Sequence, residues 1–492
     1  MFDLLNVLFA FIVVGFLLLV ARLIKHNVRL FQTLYLPESI IAGAIALLLG
    51  SGALGAIAVA LGASPDSYLA GGLFPEEMQE VWSQAPGVFI NIVFAALFLG
   101  EHIPNPKEIW RKTAPQVAFG QTLAWGQYVL GIIVTLLILT PLFGANPISG
   151  ALIEIAFEGG HGTAGGMADT LTDLGFAEGG DLALGLATVG IVSGILFGTA
   201  LAHWARQKGY ISSEPEPVAG DAQFQETAQT EPSSLLARRA RLMRNLLIDP
   251  LSLNFGFTGL AIAIGWIILE ILTLIESVTW GRGDGLELIG AVPLFPMALI
   301  GGIVIQVVMK RFDLEVLIIR RLQERIAGVA LDLLVVTALA SINLAVLGAN
   351  IGIFLILSVV GIIWNVLAFI YLAPRILPVY WFERGIGDMG QSMGVTATGI
   401  LLIRMVDPEN RTGAFESFGY KQLLFEPIVG GGLFTAAAPA LIVRFGSISI
   451  LLLTSALLAF WLIFGIINCK RTSKKLQEER ERTADISTTV VR

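Results

Sequence analysis

Long apolar stretches recur along this 492-residue chain, and nothing else in it constrains the fold as strongly. A helix that crosses a bilayer needs about 20 mostly apolar residues. Such segments lie near 4–21, 37–61, 86–100, 115–140 and 182–205. After a polar gap they resume near 251–275, 288–309, 326–347, 351–373, 422–443 and 447–468. Eleven spans predict an all-α polytopic membrane protein. Composition agrees: 55% of residues are apolar and 14% charged, against about 25% charged in soluble domains. That balance argues against a soluble enzyme, a disordered chain or a nucleic-acid binder. The single cysteine, Cys469, allows no internal disulfide. The first span is not read as a secretory signal, because it lacks a basic leader and runs straight into Arg22, Lys25 and Arg29.

Basic residues give the expected orientation. Arg22 to Arg29 follow span 1, Lys107 to Lys112 follow span 3, and Arg206 to Arg244 follow span 5. Lys310 to Arg325 follow span 7, Arg375 and Arg384 follow span 9, and Lys470 onward follow span 11. Arg404, Arg411 and Lys421 group with them. Of the 31 Lys and Arg, all but Arg282 and Arg444 fall on one face of this alternation. The positive-inside rule makes that face cytoplasmic, with the N-terminus outside and the C-terminus inside. Residues 212–234 form a polar, Pro- and Glu-bearing linker, followed by LLARRARLMRNLLI at 235–248. The latter reads as a basic amphipathic helix, either on the inner membrane surface or simply solvated.

The linker, 206–250, separates two halves with common features. Pro37 and Pro296 each open a span, and each is followed six residues later by a glycine, Gly43 and Gly302. Phe157-Glu158-Gly159-Gly160-His161-Gly162-Thr163 corresponds in order to Phe382-Glu383-Arg384-Gly385-Ile386-Gly387-Asp388. The first half starts outside and the second inside. The expected organisation is therefore two inverted-topology repeats of five spans, 1–205 and 251–445. An extra C-terminal span follows at 447–468, with a basic tail at 469–492. Inverted repeats are common in secondary transporters, with the binding site at the repeat interface.

Two Gly-rich, semi-polar segments, 146–172 and 378–406, do not fit as simple spans. Each returns to the face it came from, which predicts two re-entrant hairpins with tips near the membrane centre. Non-helical backbone is tolerated there only inside protein or against a wet cavity, and glycine lets bare amides and carbonyls approach a ligand. Glu154, Glu158 and His161 stand at offsets of 0, 4 and 7, which predicts one helix face. A carboxylate at the bilayer centre costs about 2.5–3.5 kcal/mol and calls for a cation, proton or partner. These groups read either as a cation or substrate site or as a wet external mouth. Asp169 and Asp173 lie nearer the outside. Asp388, Gln391, Ser392, Thr396 and Thr398 line the second segment, where Arg404 reads as a substrate-carboxylate ligand or as a snorkelling arginine. Asn91, Gln116, Asn343, Asn365 and Glu426 are the polar residues within spans, and Gly190, Gly194 and Gly198 form a close-packing row.

Gly390-Gln391-Ser392-Met393-Gly394 fits the G-x-S-x-G pattern, but a nucleophile elbow needs a strand-to-helix turn and a nearby histidine, for which only His161 qualifies. No P-loop and no HExxH sequence is present.

Gly159-Gly160-His161-Gly162-Thr163, Leu174-Gly175-Phe176, Ala187-Thr188-Val189-Gly190, Pro37-Glu38 and Gly394-Val395-Thr396-Ala397-Thr398 resemble the sodium/glutamate symporter (glutamate:sodium symporter) family over about residues 1–445. The resemblance implies two inverted five-helix halves with re-entrant loops, related in fold to citrate:sodium carriers. It also implies sodium-driven glutamate uptake, a homodimer and an elevator-like motion. The chain departs from the family pattern at Glu158, where a small polar residue is expected, and in a second loop that lacks a histidine-bearing glycine run. The expected substrate ligands are Gly159, Gly160, His161, Gly162, Thr163, Gly390, Gln391, Ser392, Thr396 and Arg404. Those expected for sodium are Glu158, Asn91, Asp169, Asp388 and Thr398. The expected function is sodium-coupled glutamate symport in the plasma (inner) membrane. Coupling to protons, carriage of another small carboxylate or amino acid, an ion channel and an intramembrane serine hydrolase remain as alternatives.

Overall fold

A computed structural model describes residues 4–33, 36–64, 67–101, 106–211, 249–281 and 289–490. The expected amphipathic helix at 235–248 lies outside them. The fold is all-helical, with no strand among the described residues. In the first half the main helices are α1 (Leu4–Asn27), α2 (Glu38–Leu49), α3 (Glu76–Ala96), α4 (Pro106–Val134), α5 (Gly160–Gly166) and α6 (Gly179–Gln207). The second half contains α7 (Pro250–Val278), α8 (Leu294–Arg311), α9 (Arg320–Ala340), α10 (Ile351–Ile376), α11 (Trp381–Val406), α12 (Ala414–Phe425), α13 (Leu433–Phe445) and α14 (Ser447–Val490).

Among the described residues, seven helices are long and apolar enough to cross a membrane: Leu4–Asn27, Thr113–Phe143, Gly179–Gln207, Pro250–Val278, Leu294–Arg311, Ile351–Ile376 and Ser447–Lys474. The other four expected spans fall short for visible reasons. The 37–61 stretch breaks at Gly50, whose extended backbone bridges to Gly72. α3 starts on Glu76 and Glu77, and α9 on Arg320 and Arg321, so their first turns are charged. The 422–443 stretch divides into α12 and α13. α14 differs in the other direction, since the helix runs on through what reads as a tail. Its 44 residues are about 66 Å long at 1.5 Å per residue, twice the roughly 30 Å of a hydrocarbon core.

The helices pack as two bodies. The first contains α1, α2, α3, α7, α8 and α9. Small residues set its crossings: a Cβ on Gly301 would overlap the Ala261 carbonyl, and one on Gly265 would lie 2.5 Å from the Ala298 nitrogen, so α7 and α8 touch backbone to backbone. Arg320 at the start of α9 donates to the Leu97 and Leu99 carbonyls, closing the C-terminal end of α3. The second body contains α4, α6 and α10 to α14 around a core of Phe119, Tyr128, Phe157, Phe369 and Phe382. The Gly190–Gly194–Gly198 row of α6 receives Met393, Thr398 and Leu402 of α11. The bodies meet chiefly where α5 lies on α3 and α9. There Gly162 and Gly166 face Ile90, and Gly165 faces Pro86 and Ala338.

Candidate functional site

Three interruptions of helical backbone converge in the second body. In the first, a π-helical turn, Glu154–Glu158, ends at Gly159, and Gly160 (φ 68°) starts α5 in a new direction. In the second, α11 breaks at Gly394 (φ −150°, ψ 40°) and Val395 (φ 60°, ψ 174°). The backbone of Val395 is a region left almost entirely to glycine, at a cost of about 1–3 kcal/mol. In the third, the chain between α12 and α13 turns through Gly430 (φ 73°) and Gly431 (φ 98°). A Cβ on Gly160 would overlap the Val395 side chain. One on Gly431 would lie 2.6 Å from Thr163 Oγ1, and one on Gly430 would lie 3.5 Å from Glu158 Cγ. Backbone from three places thus converges on one buried region beside Glu158.

Acidic groups gather around it. Glu154 is well satisfied: Tyr128 donates to its Oε2 at 2.5 Å, while the Gly430 N–H (2.9 Å) and the Thr435 hydroxyl (2.8 Å) donate to its Oε1. Glu158 is not. It is 2% exposed, and neither of its carboxylate oxygens has a hydrogen-bond partner. The Ser392 hydroxyl faces this carboxylate but lies outside hydrogen-bonding geometry, and it and the Thr163 hydroxyl are also buried without partners. A buried anion left in that condition is costly until a cation or proton joins it.

The one-face expectation for Glu154, Glu158 and His161 does not hold, because the chain turns at Gly160 between the second and the third. Glu154 points to α4 and α13, Glu158 to Ser392, and His161 to α6. His161 Nε2 lies 2.9 Å from the Thr188 hydroxyl, whose proton goes to the Leu184 carbonyl at 3.1 Å. The hydroxyl therefore accepts, and Nε2 is the donor. Ser392 has no such histidine and sits in a helix rather than a strand-to-helix turn.

A polar chain leads from this space into α12. Thr396 donates to Glu426 Oε1 at 2.9 Å, and Gln391 Nε2 reaches the same oxygen at 3.3 Å. Gln422 Nε2 donates to Gln391 Oε1 and Thr396 Oγ1. Lys421, counted above with the cytoplasmic-side bases, is completely buried and pairs with Asp388 at 3.1 Å. Gln116 of α4 donates to Asp388 Oδ2 at 2.8 Å and accepts from Arg384, which is likewise buried in the first turn of α11.

Of the expected ligands, Gly159 to Thr163, Glu158, Gln391, Ser392 and Thr396 lie at or beside the interruptions. Gly390 and Thr398 pack the two arms of α11, Gly390 against Gly399 and Thr398 against Gly194 and Gly394. Arg404 is elsewhere: it stacks over Phe415 at 5.7 Å, about 12 Å along the helix from Thr396. Asp169 is exposed on a following short helix. Asn91 donates to its own helix at Gly87 and Val88, and its neighbour Ile90 is the residue that meets α5. Tyr128, Gln116, Lys421 and Thr435 are the members that sequence reasoning left out of the site. Their common signal is a polar group inside or beside an apolar run. Among the described residues, no group of three or more His, Cys, Asp or Glu is arranged to hold a metal ion. A cation here would rely on hydroxyl, amide and carbonyl oxygens around single carboxylates, donors suited to a hard monovalent ion.

Compared with known protein families, residues 111–406 match the model described as sodium/glutamate symporter. That stretch runs from α4 through α11 and includes both Gly-rich segments. No curated protein matches the chain.

Proposed function

The chain belongs to the sodium/glutamate symporter family, a transporter rather than an enzyme class whose membership implies sodium-coupled glutamate transport, and from this premise we propose how it performs that transport. The observation that carries the proposal is the pair of unpartnered Glu158 oxygens, which face the likewise unpartnered hydroxyl of Ser392. A cation completes this cluster, either sodium itself or the α-ammonium of the amino acid. The turns at Gly160 and Val395 bring main-chain polar groups to the substrate carboxylates, while the N–H groups of Gly159, Gly430 and Gly431 are already held by Glu154 and Thr435. Gln391, Thr396 and Glu426 order the opposite wall. His161 holds the first turn against α6 and orients it, while Arg404 and Asp169 act outside the first contact with substrate.

The two Gly-rich segments act as opposed re-entrant hairpins of inverted repeats. The second body is the moving part of an elevator. Its contact with the first body, glycines of α5 against apolar side chains of α3 and α9, suits sliding because few polar bonds must break. The first body is the fixed scaffold and carries the homodimer contact. The N-terminus faces outward and the C-terminus the cytoplasm across the inner membrane, as the distribution of bases favours.

Counterflow in proteoliposomes tests the reading. Glutamate uptake is expected to require inward sodium, and Glu158→Gln is expected to weaken sodium activation by about 10–100-fold, the value of a hydrogen-bonded charge. Uptake that ignores sodium and follows a pH gradient would assign Glu158 to carrying a proton instead. Unsaturable current would indicate a channel.

A further inference from the structure

Lys421 takes no part in the proposed transport, yet its charge is fully enclosed. Its ammonium donates to Asp388 Oδ1 at 3.1 Å and to Gln391 Oε1 at 2.6 Å. It lies 4.0 Å from the centroid of the Phe425 ring and 4.9 Å from that of Phe418. Gly120 of α4 closes another side, where a Cβ would come within 3.2 Å of Nζ. The second Asp388 oxygen is held by Gln116, so the carboxylate cannot swing away to find another partner. A carboxylate oxygen, an amide oxygen and two ring faces make a shell that fits a monovalent cation. Here the cation is covalently attached to α12, while its two oxygen ligands belong to α11.

We propose that Lys421 is a resident cation. Its ammonium fills a cation position bounded by Asp388 and Gln391, so the chain itself supplies one positive charge that would otherwise be drawn from solution. The contrast with Glu158 supports this: of these two buried carboxylates in the polar core, one is ion-paired with the lysine and the other has no hydrogen-bond partner. The same pair ties the first arm of α11 to α12, so the two move as one piece. The position itself stands on geometry alone. Its consequence for the number of ions carried rests on the sodium-coupled reading.

The test uses the full-length protein in sodium chloride and in choline chloride at equal ionic strength. Thermal unfolding is read first, then sodium activation of glutamate uptake in proteoliposomes. Lys421→Ala empties the position while Asp388 remains. Its midpoint in choline is expected to fall well below the wild-type value, and sodium is expected to restore most of that loss by binding the folded state. Its Hill coefficient for sodium in uptake is expected to rise by about one, since that coefficient is bounded by the number of sites. Lys421→Ala/Asp388→Asn should lack the sodium-specific recovery, because the vacated position has lost its charge. Equal sodium responses in wild type and Lys421→Ala, or equal recovery in the single and double variants, overturn the proposal. If Lys421→Ala is not recovered in either salt, Lys421→Ser leaves similar room, and absence of sodium recovery there overturns it as well. Wild-type uptake indifferent to sodium would defeat the coupling reading instead, and the unfolding comparison would still decide the role of Lys421.

Discussion

Among single residues, the buried polar groups differ most in whether they have partners. Glu154 has three donors, so Glu154→Gln mainly damages the fit between the first Gly-rich segment and the α12–α13 turn. Glu158 has none. Glu158→Gln is therefore expected to cost little in thermal stability measured without sodium, and to reduce the stabilisation that sodium gives the wild type. A large midpoint loss in sodium-free buffer would show that the carboxylate is structural. Gly160→Ala is a sharper backbone test, since φ is 68° and a Cβ would overlap Val395. Uptake by Gly160→Ala is expected to fall by at least about tenfold while the protein still folds, because a strained turn costs roughly 1–3 kcal/mol. Glu158 stands out in the sequence as an acid beside glycines in an apolar region. Its direction was not, because offsets of 0, 4 and 7 fix a common face only while the helix is unbroken. Lys421 was misread for a different reason. Its partner Asp388 is 33 residues away, and next to an expected span a lone lysine looks like a cytoplasmic-end charge.

Helix packing follows the distribution of small residues. Gly301 meets the Ala261 carbonyl at the α7–α8 crossing, whereas Gly256 of α7 has open space around it. Gly301→Val is expected to destabilise the protein by about 1–3 kcal/mol, the usual cost of overpacking. Gly256→Ala is expected to be neutral or to stabilise by about 0.4–1 kcal/mol. Thermal unfolding in detergent separates the two, and similar losses in both would contradict the crossing. Most apolar runs announced their helices in the sequence, as did the glycine clusters that interrupt 146–172 and 378–406. The interruption between α12 and α13 was hidden, because Phe425 to Phe434 keeps enough apolar character to pass for continuous span while Gly430, Gly431 and Gly432 break it. The continuation of α14 beyond residue 468 was also missed: charged residues end a membrane span without ending a helix.

For the whole molecule, the division into two bodies is the consequential feature. Their main contact brings Ile90 of α3 against Gly166 of α5, with a Gly166 Cβ 3.3 Å from the Ile90 Cβ, close to the roughly 3.5–4.5 Å that a disulfide spans. With Cys469 replaced, Ile90→Cys/Gly166→Cys is expected to cross-link under oxidation and to lose uptake reversibly, recovering on reduction. A cross-linked protein that transports at the uncross-linked rate would mean the bodies do not move against each other. The family assignment, the three converging interruptions and the unpartnered carboxylate all lead to one central claim: a cation bound at Glu158 couples to glutamate movement. Glutamate counterflow in proteoliposomes, measured across a sodium titration for wild type and Glu158→Gln, tests it most directly. Saturable, sodium-dependent uptake is expected in the wild type, with a sodium requirement shifted by about 10–100-fold in the variant. Identical sodium curves for the two proteins would contradict it.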